Sequence, residues 1–236
     1  MKRFLAEHVE FFGQFRHQFF TTGAIAPSSR FLARTVTRPV REKKGPARIL
    51  EIGPGTGAVT RTLVTLLGPG DHLDLVELNP TFVARLQRRF AEEPRFQRVA
   101  SQVSIHGLPL QEFTSPEKYD FIISGLPLNN FPPQLVQEVF ESYFRLLAPH
   151  GLLSFFEYMA FRPLKRYVGP KRERARMTGV NSVVRPFLDE ARIKRDWVFV
   201  NFPPAWVQHL RWCDPAGLPT GNTATGSTAT GKTSTT

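Results

Sequence analysis

Apolar positions along the chain recur with two periods. Short apolar runs read as strands over 48–52, 73–77, 103–106, 119–124 and 152–158. Stretches with apolar residues three and four apart read as helices over 58–67, 81–90 and 133–147. Strand and helix alternate from 48 to 160, and such alternation predicts a mostly parallel sheet covered by helices on both faces. Two more strand-like runs, 197–201 and 205–212, are joined by Phe202-Pro203-Pro204, and so short a join suits an antiparallel pair. A helix is also expected near 187–192. Ser28 suits an N-cap for a helix from about 29 to 37, stopped before Pro39.

Residues 1–20 follow a helical period of another character. At about 100° per residue, Phe4, Leu5, Phe11, Phe12, Phe15, Phe19 and Phe20 share one broad face. Arg3, Glu7, Glu10, Gln14, His17 and Gln18 share the opposite one. Such a helix either packs on its own domain or lies in a lipid headgroup layer. Residues 214–236 are mostly Thr, Gly, Ser and Ala, a composition that predicts disorder. Three units are therefore expected: an amphipathic helix and cap over 1–41, an α/β domain over 42–213 and a low-complexity tail over 214–236.

Composition narrows the class. Of 236 residues, 41% are hydrophobic and 22% charged, as in globular chains. No apolar run approaches the roughly 18 residues of a membrane span, and no signal peptide is expected at the N-terminus. Cys213 is the single cysteine, so an intramolecular disulfide and a cysteine-rich zinc site are excluded. The net charge of +11 points to a polyanionic partner, either nucleic acid or an anionic membrane. Seven basic residues and one acid between Arg162 and Arg176 carry +6 of it, either as a solvated loop or as a binding segment.

Candidate chemistry sits where the first strand meets the first helix. Glu51-Ile52-Gly53-Pro54-Gly55-Thr56-Gly57 lets the backbone approach a ligand and turns a helix N-terminus toward it. Gly53, Gly55 and Ala58 also satisfy a dinucleotide fingerprint, so the loop alone does not distinguish nucleotide cofactors. Glu51 is an acid where dinucleotide folds prefer apolar residues. Glu77 closes the next strand and suits ribose hydroxyls.

With these residues the chain resembles the class I S-adenosylmethionine-dependent methyltransferases from about residue 48 to 212. The resemblance implies a Rossmann-like seven-stranded sheet, mostly parallel with an antiparallel last strand. It implies S-adenosylmethionine as cofactor and S-adenosylhomocysteine as product. Glu51, Gly53, Gly55, Gly57, Glu77, Leu78 and Ser124 would border the cofactor. The adenine-contacting acid that many members carry after the third strand is replaced here by Gly107-Leu108-Pro109-Leu110, which leaves backbone groups, Gln111 or Glu112.

The fourth strand ends Ser124-Gly125-Leu126-Pro127-Leu128. Methyltransferases acting on nucleic-acid amines carry a polar residue and a stacking aromatic in this loop, and here Leu128 takes the aromatic slot. The loop resembles that of the bacterial phospholipid N-methyltransferases, relatives of the rRNA adenine dimethyltransferases. So do the stretch from Thr22 to Ser29, which follows the amphipathic helix, and Val200-Asn201-Phe202-Pro203-Pro204-Ala205. The resemblance implies stepwise methylation of phosphatidylethanolamine toward phosphatidylcholine, peripherally on the cytoplasmic face of the cell membrane. Gly125, Leu126 and Pro127 would line the amine site. Glu157 is the candidate proton acceptor and Tyr158 the cation–π partner of the methylated nitrogen. Phe11 and Phe15 would enter the membrane, and Arg162, Lys165 and Arg166 would meet lipid phosphate.

Two other readings stay open: a methyltransferase of rRNA adenine or another nucleic acid, and a membrane-associated module that binds the cofactor without turnover. Gly226-Ser227-Thr228-Ala229-Thr230-Gly231-Lys232-Thr233 matches a nucleotide-binding loop by letter, but no strand precedes it and no helix follows, so chance explains it. The six histidines show no ligand spacing, and no metal is expected.

Overall fold

The computed structural model describes residues 30–158, 171–201 and 204–211, with the side chains of 171–174 excepted. The expected N-terminal helix over 1–20, the basic residues Arg162, Lys165 and Arg166, and the tail lie outside the described residues.

Seven strands form one sheet: β1 (Arg48–Ile52), β2 (His72–Val76), β3 (Val103–His106), β4 (Tyr119–Ser124), β5 (Leu147–Tyr158), β6 (Arg192–Val198) and β7 (Ala205–Arg211). Their order is β3-β2-β1-β4-β5-β7-β6. The first five are mutually parallel, and β7 runs antiparallel between β5 and β6. This is the expected mostly parallel sheet with its last strand reversed. The order changes direction between β1 and β4, and ligands of open α/β sheets bind beyond the strand ends at such a point.

Helices cover both faces, because a parallel sheet buries both. On one face lie α1 (Arg30–Val36), α2 (Arg38–Arg41), α3 (Thr60–Leu63) and α4 (Pro80–Glu92), followed by the short α5 (Pro94–Gln97). Leu32, Val36, Leu63 and Leu86 pack there on Ile49, Leu73, Leu75 and Ile123. On the other face, α6 (Pro133–Leu146) and α7 (Lys171–Ala191) pack on Leu50, Ile52, Ile122, Leu153 and Phe155. Phe140 of α6 stacks on Phe187 of α7, with centroids 4.7 Å apart. A Cβ on Gly179 would lie 2.6 Å from Pro133 Cγ, so α7 needs glycine where it crosses the start of α6.

Several boundaries differ from the sequence reading. Helical structure resumes after Thr37 rather than stopping before Pro39, because proline lacks only an N–H and is tolerated in the first turn of the new helix. The helix expected over 58–67 is a single turn, Thr60–Leu63, flanked by turns. β5 begins at Leu147 rather than 152: it bulges between its pairings with Tyr119 and Phe121, and His150 takes a φ of 63° there. α7 runs from Lys171, not 187, and contains Pro186. β6 spans Arg192–Val198, not 197–201, because its charged residues sit on an exposed edge strand and hide the strand signal.

Candidate active site

The glycine loop is built by its backbone. Gly53, Gly55 and Gly57 have φ values of 68°, 57° and 75°, a region that glycine enters without steric cost. Gly53 N–H donates to Val76 O at 2.9 Å, which ties the loop to the end of β2. Gly57 also faces Arg89: a Cβ there would lie 2.7 Å from Arg89 Nη1. That guanidinium donates to Thr56 O at 3.0 Å and Gly57 O at 3.3 Å. Arg89 is held in turn by Glu93 at 2.7 Å and by the face of Phe96. Nothing local in the sequence announces this arginine, 32 residues past Gly57.

Glu77 closes β2 and is 1% exposed. One carboxylate oxygen accepts Gly55 N–H at 2.9 Å and the other accepts Asn79 N–H at 2.9 Å. Glu77 N–H donates to His106 O at 3.0 Å, extending the β2–β3 ladder past the strand end. The acid therefore joins the glycine loop to the turn before α4. Leu78 follows it, half-buried. Glu51 is buried within β1, in register with Leu75 and Ile123.

The loop after β4 lies against the glycine loop. Gly125 N–H donates to Ile52 O at 2.8 Å. A Cβ on Gly125 would lie 2.8 Å from Gly53 O, so only glycine allows the two loops to meet. Ser124, expected at the cofactor, is buried, and its hydroxyl is 2.6 Å from Tyr143 Oη. The same oxygen accepts Leu126 N–H at 3.2 Å. Its visible work is to fix the start of this loop on α6. Burial drives the Tyr143 phenol well above its ordinary pKa, so it stays a neutral partner. Leu126 and Leu128 are buried, Pro127 is half-buried, and Phe131 is fully buried in the core.

β5 brings Glu157 and Tyr158 to the same end of the sheet. Ser124 pairs with Phe155, so Glu157 lies two residues beyond the last β4 pairing, next to the Gly125–Leu126–Pro127 loop. Glu157 is buried and accepts Gln208 Nε2 at 3.4 Å. Tyr158 leaves the strand on the opposite face and meets Phe156 edge-on at 5.5 Å. The two residues thus border the strand end from different sides. Phe11, Phe15, Arg162, Lys165 and Arg166 are outside the described residues.

Three features suit a nucleoside cofactor with an amino-acid end: a positive-φ glycine turn, a buried acid one strand away, and a loop contact that leaves no room for a side chain. Comparison with known proteins agrees. Residues 49–151 match the family model described as "Methyltransferase domain". The chain is 32% identical over 144 residues to the ornithine lipid N-methyltransferase of Singulisphaera acidiphila, across 61% of this chain and 74% of that protein. It is 37% identical over 93 residues to ribosomal RNA small subunit methyltransferase A of a Synechococcus strain, across 39% of this chain but only 30% of that protein. Among solved structures, the O-methyltransferase TomG from Streptomyces achromogenes, in complex with SAM, superposes with a TM-score of 0.57 at 17% identity, covering 86% of this chain and 88% of that one. The chain belongs to the class I S-adenosylmethionine-dependent methyltransferases, alongside the ornithine lipid N-methyltransferase, and S-adenosylmethionine is its cofactor.

Proposed function

We propose that this methyltransferase acts on the primary amine of a membrane lipid, phosphatidylethanolamine first, and carries it stepwise toward phosphatidylcholine at the membrane surface. The observation that carries this reading is the loop after β4. Leu128 and Phe131 are both packed into the core, so the loop presents no aromatic face on which an extruded base would stack. The named lipid methyltransferase relative points the same way. Among the described residues, no helix is long and apolar enough to cross a membrane, which fits an enzyme that meets lipid from one side.

Gly53, Gly55 and Gly57 would cradle the methionine end of the cofactor, with Glu51 shaping that turn. Glu77 would accept from the ribose through its remaining lone pairs while holding Gly55 and Asn79. Leu78 and Ser124 would flank the same cleft. When bound, S-adenosylmethionine supplies an electrophilic methyl on a sulfonium. Gly125, Leu126 and Pro127 would line the path of the amine and exclude water from it. The nitrogen must arrive neutral, so a proton has to leave it, and Glu157 would accept that proton. Tyr158 would offer its ring to the nitrogen as it gains methyl groups. Most of the acceleration would come from alignment of the two reactants. Residues 1–20, with Phe11 and Phe15, would rest in the headgroup layer, and Arg162, Lys165 and Arg166 would meet phosphate. The site residues and their domain, 42–213, would thus sit on the cytoplasmic face of the membrane.

A second acceptor of the same chemistry, the amine of an ornithine lipid, is favoured by the name of the relative. One experiment separates the acceptors: purified protein with radiolabelled cofactor and phosphatidylethanolamine, ornithine lipid or ribosomal RNA. Label in mono- and dimethylated phosphatidylethanolamine supports the proposal. Label confined to ornithine lipid moves the substrate within the class, and label in RNA alone overturns it. Cofactor binding without label in any acceptor supports the non-catalytic module.

A further inference from the structure

The end of the sheet nearest Glu157 carries an exposed aromatic cluster. Trp197, Phe199 and Val200 are 53%, 67% and 69% exposed, a large apolar display for adjacent residues. The Trp197 and Phe199 rings stack, with centroids 5.5 Å apart and planes 18° apart. Trp206 meets Trp197 edge-on at 5.5 Å. The packed rings present one surface.

Its place in the fold is set by register. Glu157 pairs with Trp206, and Trp206 pairs with Trp197. Two strand spacings, about 10 Å, therefore separate the backbone of Glu157 from that of Trp197. β5 and β6 both end at this edge and β7 begins there, so the cluster and the active-site loops share one end of the sheet.

Charge decides what the cluster meets. Arg192, Lys194 and Arg195 are all exposed on β6. The Arg195 guanidinium lies 5.7 Å from the Trp206 ring centroid. The acid of this strand, Asp196, turns to the opposite face, where it pairs with Arg38, Lys194 and His209, so Arg195 is the cation beside the rings. A second copy joined edge to edge would bring these cations together, so self-pairing is disfavoured. Tryptophan and phenylalanine beside arginine suit the headgroup layer of an anionic bilayer.

We infer that the β6–β7 end of the sheet is a lipid-docking surface: Trp197, Phe199 and Val200 enter the interface of an anionic bilayer, and Arg195 meets its phosphates. The inference rests on the lipid-amine reading and adds to it a contact within the folded domain, separate from residues 1–20. Docking here would bring the bilayer surface to the strand end that carries Glu157.

The test uses the full chain and vesicles of phosphatidylglycerol with phosphatidylcholine, which hold no methyl-accepting amine. The double variant Trp197→Ser/Phe199→Ser should partition roughly tenfold more weakly in sedimentation, with its melting temperature kept because both rings face solvent. Doxyl-labelled lipid should quench the tryptophan fluorescence of the unaltered chain, and Trp197→Phe should remove a large part of that quenching. Binding should fall steeply when phosphatidylglycerol is omitted. Equal partitioning of the double variant, or quenching unchanged by Trp197→Phe, overturns the inference. So does a change of oligomeric size in the double variant without lipid, which would assign the surface to a second copy. The acceptor assignment fails separately: if the unaltered chain labels no lipid amine while the double variant still loses vesicle binding, the docking surface stands and the substrate does not.

Discussion

Gly125 meets Gly53 so closely that a Cβ on the first would lie 2.8 Å from the carbonyl oxygen of the second. The ends of β1 and β4 thus form one unit, although the two residues are 72 positions apart. Gly125→Ala should force the loops apart. We expect roughly 1–3 kcal/mol of destabilisation, as for other overpacked contacts, and a loss of cofactor affinity larger than that change explains. Urea unfolding with titration calorimetry measures both, and unchanged affinity would show that the contact does not shape the cofactor cleft.

Glu77 has two duties. Glu77→Ala removes the acceptor of one buried amide, Gly55 N–H, and one partly buried amide, Asn79 N–H, in addition to the expected ribose contact. The buried orphan costs about 1–3 kcal/mol and the partly buried one less. Loss of cofactor binding should therefore come with a lowered unfolding midpoint. Glu77→Gln keeps one carbonyl acceptor and should recover part of the stability without the affinity. A variant that binds S-adenosylhomocysteine as the parent does would refute the assignment.

Arg89 braces the glycine loop from outside the cleft. Arg89→Met should free Thr56 O and Gly57 O while leaving the packing on Phe96 largely intact. Cofactor dissociation should rise about tenfold, the weight of one charge-assisted hydrogen bond, with KM for the acceptor unchanged. A matched loss in both parameters would point instead to general unfolding.

Glu157→Gln should lower kcat by roughly a hundredfold, the lower range for a positioned proton acceptor, and leave cofactor affinity alone. The test is single-turnover transfer at saturating cofactor. An undiminished rate would give the proton to water or backbone carbonyls.

A buried network away from the cleft sets an acid limit on stability. His209 Nδ1 is 2.7 Å from Ser154 Oγ, and His209 Nε2 is 3.1 Å from Asp196 Oδ2, which also pairs with Arg38. Burial first, then the charges of Arg38 and Lys194, lower the His209 pKa from 6.5 to about 4. The unfolded chain binds this proton between those values and the folded chain does not. Stability is therefore full above pH 6.5 and declines as pH falls toward 4, by about 3 kcal/mol in all. Denaturant unfolding from pH 7.5 to 4 should show the slope, and His209→Gln should flatten it. Ser154, His209 and Asp196 resemble a hydrolase triad in composition, but Ser154 is wholly buried and reaches no substrate.

Local chemistry was legible in the sequence and long-range chemistry was not. The bounds of β1, β3 and β4 match the sequence reading because each is a short apolar run ended by glycine or a turn. The glycine turn was equally plain, since its function is written in seven consecutive residues. β6 and the start of α7 were obscured by charge: exposed Arg192 and Lys194 break an alternating pattern, and a run of Lys and Arg suits helix and loop alike. The Gly53–Gly125 contact, the Arg89 brace and the Ser124–Tyr143 bond join residues far apart in the chain, so no spacing rule finds them.

The reversed strand β7 fills the gap between β5 and β6. During synthesis this slot, next to the sheet edge, is the last part of the sheet to emerge. Until Ala205–Arg211 arrives, β5 has an open edge and β6 has nowhere to attach. The aromatic flank that follows β6 becomes a fixed surface only at that moment, so the proposed docking through Trp197 and Phe199 would have to wait until β7 has paired.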